Sequence, residues 1–89
     1  MSPEYAVSLT RRAVKEVAKL PPKARGQITG RIDELRDNPR PHDSRRLVGR
    51  EKGYRVDVGE YRLLCDVDDS GRRVTVWRVR HRKDVYRNL

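Results

Sequence analysis

With 89 residues the chain is long enough for one domain, and a 35% hydrophobic against a 39% charged fraction leaves a core that is real but thin. Lys and Arg number 22 against 13 acids, a formal charge of +9, which points to a polyanionic partner: nucleic acid, an anionic membrane surface or an acidic protein. The single cysteine, Cys65, excludes an intramolecular disulfide and fits a reducing compartment. No run reaches the roughly 20 apolar residues of a membrane span, and no signal peptide is apparent around Glu4, so a cytoplasmic location is expected.

Taken in order, Tyr5, Val7 and Leu9 alternate and predict a short first strand. Thr10 is placed to cap a helix whose apolar positions are Val14, Val17 and Ala18, and Pro21-Pro22 stops it. A second helix starts at those prolines, since Pro is tolerated in a first turn, and carries Ala24, Ile28, Ile32 and Leu35 on one stripe before Asn38-Pro39. Residues 39–52 lack a period and read as a surface connection anchored by Leu47, with a turn at Gly49.

The organising stretch is GYRVDVGEYRLLCDV, residues 53–67. Tyr54, Val56 and Val58 alternate with Arg55 and Asp57. Across the pair Gly59-Glu60, Tyr61, Leu63, Cys65 and Val67 alternate with Arg62, Leu64 and Asp66. Two period-two runs joined by Gly-X predict a hairpin with a type II′ turn. A turn at Asp68-Asp69-Ser70-Gly71 leads to a last strand, Val74–Val79, with apolar residues on both faces, as in a central strand. Residues 80–89 leave the sheet as a short helix or tail. The expected fold is α+β, of order β-α-α-β-β-β: a helical hairpin on one face of a small antiparallel sheet, in a single domain over 1–89.

Metal and cofactor chemistry has no visible basis. His42 and His81 are far apart, one cysteine cannot complete a zinc site, and no Gly-rich phosphate loop is present. Arginines remain, with one histidine and tyrosines. Arg55 and Arg62 point outward from the hairpin, while Arg78, Arg80, His81, Arg82 and Lys83 crowd the end of the last strand, followed by Tyr86. Arginine grips phosphate oxygens in a bidentate fork, and an aromatic ring stacks on an unpaired base. Such a face suits RNA cleavage by the 2′-OH, which needs proton transfer and charge stabilisation.

The runs LVGREKGYRVDVGEYRLL and VTVWRVRHRKDVYR, with the early LTRRAVKEVAKLP, resemble the RelE/ParE superfamily of type II toxins, in its RelE-like branch. That resemblance implies a ribosome-dependent endoribonuclease that cleaves mRNA. It also implies an acidic antitoxin partner, and contact with operator DNA only through the toxin–antitoxin complex. It matches Arg62 to a scissile-phosphate contact, Arg82 (or Arg80, if a gap is placed differently) to the arginine near the end of the last strand, and Tyr86 to a tyrosine for stacking and proton transfer. Arg55 matches a basic strand position, with Arg78, Arg80 and Lys83 as further RNA contacts, and His81 stands as a candidate acid or base. Asp57 departs from the pattern, standing where relatives carry a second basic residue; a carboxylate there repels phosphate or serves as a base. Two other readings share the scaffold: a ParE-like inhibitor of DNA gyrase, and a non-catalytic relic that only binds its antitoxin.

Overall fold

The computed structural model describes residues 4–85. In chain order it runs β1 (Ala6–Leu9), α1 (Arg11–Ala18), α2 (Pro22–Glu34), β2 (Arg45–Arg46), β3 (Gly53–Val58), β4 (Tyr61–Asp68), β5 (Arg73–His81) and one helical turn, α3 (Arg82–Val85). The expected α+β layering and element order hold, with β2 added. A two-residue strand can have no period, which is why Arg45-Arg46 reads as loop in the sequence.

The sheet order is β1-β5-β4-β3-β2. β2 through β5 pair antiparallel, whereas β1 lies parallel to β5, so the sheet is mixed rather than wholly antiparallel. Parallel neighbours need a long crossover, and the chain from α1 to β4 provides it. Among the described residues no helix is long and apolar enough to cross a membrane.

Helix α1 starts where Thr10 accepts a hydrogen bond from the Ala13 N–H at 3.2 Å, the expected cap. Its buried positions are Ala13 and Val17, while Val14 is half exposed, which corrects the stripe read from Val14 and Ala18. The helix lies close over the sheet, and the small Ala13 fits that approach where a larger side chain would not. The α2 stripe is as expected: Ala24, Ile28, Ile32 and Leu35 are buried. Ile28, Ile32 and Leu35, with Ala13 and Val17, meet Val56, Leu63, Cys65, Val67, Val74, Val76 and Val79 in one core on the helix side of the sheet. Burying a side chain such as Leu63 in full contributes about 1.5–3 kcal/mol. Everything that alternates away from this core is left to build the opposite face.

Candidate nucleic-acid interface

Register begins at the hairpin turn. Gly59 has φ +59°, as the first central residue of a type II′ turn requires, and so Val58 pairs with Tyr61. From there Asp57 falls opposite Arg62 and Arg55 opposite Leu64, all on the face away from the helices.

A bulge in β5 then decides which arginine joins them. Cys65 pairs with Val76 but Leu64 pairs with Arg78, so Trp77 is the extra residue. Beyond it Leu63 faces Val79, Arg62 faces Arg80 and Tyr61 faces His81. Without the extra residue Arg80 would point into the helix side. Trp77 also explains the apparent two-sided apolar pattern of this strand: the pattern changes phase at the bulge, although the strand is interior as expected. Glu16 of α1 holds the irregularity. Its Oε1 accepts the Val79 N–H at 2.8 Å and its Oε2 accepts from Arg78 Nε at 3.1 Å, while Thr10 Oγ1 donates to the Trp77 carbonyl at 3.3 Å.

The outer face therefore carries two cross-strand rows, Asp57·Arg62·Arg80 and Arg45·Arg55·Leu64·Arg78. Directly opposed residues have Cβ atoms about 4.5–5.5 Å apart, and like charges so placed repel. Arg62 beside Arg80, and Arg55 beside Arg45, are thus unfavourable unless an anion sits between them. One internal anion is present: Asp57 Oδ1 lies 3.0 Å from Arg62 Nε and 3.2 Å from Arg55 Nε. The Arg62–Asp57 contact is ionic in geometry, because the Nε–H is not aimed at the oxygen. Arg62 Nη1 donates to the Tyr61 carbonyl at 3.2 Å.

Other candidate residues lie elsewhere. Arg78 is paired to Glu16 and its side chain is only 12% exposed, so its charge is matched within the fold. His81 alternates to the Tyr61 side, with the two rings edge-to-face at 5.4 Å. Its Nδ1 accepts the Lys83 N–H at 3.2 Å, which puts the ring proton on Nε2, 3.5 Å from Glu60 Oε2. Arg82 opens α3 with an exposed side chain, its N–H donating to the Glu60 carbonyl at 2.7 Å, and Lys83 is exposed beside it. Between the two arginines matched by resemblance, Arg80 is the one opposite Arg62. Tyr86 lies outside the described residues. Sequence reasoning missed Arg45, Glu16 and Glu60; the adjacent Arg45-Arg46 was the available signal for the first, and contacts across 62 or more residues carry none for Glu16.

Cys65 is buried, and that burial pushes its thiol up to about 12, with Asp66 adding to the shift, so it is an inert core residue. Among the described residues no three of His, Cys, Asp and Glu converge as a metal site would need.

Comparison with known proteins gives the family and the fold. Residues 7–86 match the family described as the ParE toxin of type II toxin–antitoxin systems, parDE. The chain is 28% identical over 88 residues to RelE1 of Methanocaldococcus jannaschii, covering 96% of this chain and 98% of that one. Among solved structures it is similar to the RelBE2 toxin–antitoxin complex of Mycobacterium tuberculosis, at 30% identity and a TM-score of 0.76, covering 88% of this chain and 98% of that chain. It is also similar to the isolated RelE toxin of E. coli, at 28% identity and a TM-score of 0.75, covering 96% and 99%.

Proposed function

Because the chain belongs to the ParE toxin family of type II toxin–antitoxin systems, as a RelE-like member, we propose that it acts as an endoribonuclease on ribosome-bound mRNA. The observation that carries this reading is the pairing of Arg62 with Arg80 on the sheet face away from the helices, beside Arg55 and Arg45. Two opposed guanidinium groups match the two free oxygens of a phosphodiester in a way that neutral or singly charged ligands do not.

In the proposed reaction the ribose 2′-OH attacks the adjacent phosphorus. The O2′–P bond forms, the P–O5′ bond breaks, one proton leaves the 2′ oxygen and one reaches the departing 5′ oxygen. Arg62 and Arg80 stabilise the charge that builds on the phosphate oxygens. By family resemblance His81, at the end of the last strand, is a candidate acid or base and Tyr86 serves stacking and proton transfer, while Arg82 is the alternative to Arg80 as the second phosphate contact. The chemistry asks for no more than proton transfer and charge stabilisation, so a metal is not needed.

The cognate antitoxin is proposed to be acidic and to cover this cationic face; similar toxins are found in toxin–antitoxin complexes. Its binding would offset self-repulsion and raise the melting temperature. Primer extension on RNA from cells induced to express the chain tests the activity. Cuts inside reading frames with arrested translation are expected; intact transcripts in arrested cells would overturn the reading.

A further inference from the structure

Asp57 stands inside the arginine cluster, and the reaction just described does not use it. Its Oδ1 reaches Arg62 Nε at 3.0 Å and Arg55 Nε at 3.2 Å, so one oxygen touches both guanidinium groups at the Nε position. Arg62 has a second anchor in the Tyr61 carbonyl, and its side chain is 12% exposed. An arginine fixed at two points has already given up rotamer freedom that binding would otherwise cost.

Charge balance decides between helping and hindering. In the cross-strand rows of the described residues, Arg45, Arg62 and Arg80 outnumber Asp57 three to one, with Arg55 and the Glu16-paired Arg78 set aside. One carboxylate does not reverse such a field. Removing it would leave Arg62 repelled by Arg80 across one strand pair and by Arg55 from the other, with only the Tyr61 carbonyl to hold it.

We propose that Asp57 is a positioning residue, holding Arg62 and Arg55 at Nε so that their terminal nitrogens meet the phosphate, in exchange for some net attraction. This rests on the phosphate reading of the site. The rival is a purely repulsive carboxylate, as the sequence comparison alone suggests. The two make opposite predictions for rate.

The experiment is single-turnover cleavage on programmed ribosomes with the full chain as wild type, Asp57→Ala, Asp57→Asn and Arg62→Ala. Affinity for a short single-stranded oligoribonucleotide is measured alongside by fluorescence anisotropy. Positioning predicts a split: Asp57→Ala slows the saturated rate about 100-fold, the cost of misplacing a reacting group by about an ångström, while affinity holds or tightens. Asp57→Asn keeps an oxygen at the same reach but not the charge, and recovers only part of the loss.

An Asp57→Ala variant that cleaves as fast as wild type or faster overturns the proposal, and the phosphate reading survives if Arg62→Ala abolishes cleavage. An Arg62→Ala variant that cleaves normally brings down the phosphate reading itself. A readout independent of activity is the mobility of the Arg62 side chain, followed by NMR relaxation at its Nε. A rigid side chain in wild type, loosened in Asp57→Ala and partly held in Asp57→Asn, is expected; equal order in wild type and Asp57→Ala overturns the proposal. Should Asp57→Ala fail to fold, Asp57→Asn carries both measurements, with a slower rate and a more mobile Arg62 expected than in wild type.

Discussion

The two ends of β4 treat charge in opposite ways. At the Asp66–Asp69 end, Asp66, Asp68 and Asp69 each hold a different cation. Arg50 donates to both oxygens of Asp66 at 2.7 and 2.8 Å and lies 4.2 Å over the Trp77 ring. Arg40 donates to both oxygens of Asp69 at 3.0 and 2.7 Å, where Tyr5 also donates, and Lys52 lies 3.5 Å from Asp68. At the Tyr61–Arg62 end, Arg55 and Arg62 share Asp57, with Arg45 and Arg80 as their cross-strand neighbours. Both ends look equally basic in sequence, yet only the first gives each of its acids a cation of its own. Such ion pairs close the loops onto the sheet; crowded like charges raise the energy of the free protein and lower it again when a polyanion arrives.

The sharpest way to break this contrast is Arg62→Ala. Cleavage should fall about 100-fold or more, as when one preorganised donor to a developing oxyanion is removed, with little change in melting temperature because Arg62 alternates away from the Leu63 core side. A large fall in stability would place Arg62 with the matched charges instead.

Glu16→Ala tests the device that puts Arg80 on the face away from the helices. It removes the acceptor of the Val79 N–H and the partner of Arg78. Stability should drop by about 2 kcal/mol, or roughly 10 °C in melting temperature for a domain of this size. Arg78→Ala should cost stability too, without changing RNA affinity.

Much of this was legible from residue patterns, and the failures have local causes. The stripe Ile28, Ile32 and Leu35 and the hairpin around Gly59 are short-range signals, and both are found in the structure. Ala13 was passed over for Val14 because side-chain size, not helix proximity to the sheet, is visible in a sequence. The Trp77 bulge was hidden because a phase change at one residue imitates a strand buried on both faces. The pairing of Asp57 with two arginines depends on register, so the sequence offers only repulsion of phosphate or a role as a base.

Acid titration probes the matched end. Asp66 is held below the ordinary carboxylate range by hydrogen bonds from Arg50, Asp68 by its bond from Ser70, and Asp69 by bonds from Arg40. A carboxyl depressed in the folded state contributes stability above its unfolded pKa, about 3.9, and that contribution disappears as pH falls through the lower folded value. Denaturant midpoints should therefore decline from about pH 4 downward, and less steeply in Arg50→Ala. The smallest effect concerns Cys65: buried, with its thiol pushed up to about 12, it should ignore thiol reagents in the folded protein and react only after unfolding.

The most direct test of the contrast is the salt dependence of single-stranded RNA binding. Each phosphate neutralised adds about 0.7 to the slope of log affinity against log salt concentration. Arg62→Ala and Arg80→Ala should each flatten the slope by about that amount, whereas Arg50→Ala and Arg78→Ala, whose charges are already met by Asp66 and Glu16, should leave it where it is. Equal flattening by all four substitutions would contradict the account, since it would make the basic surface a uniform one with no site on it.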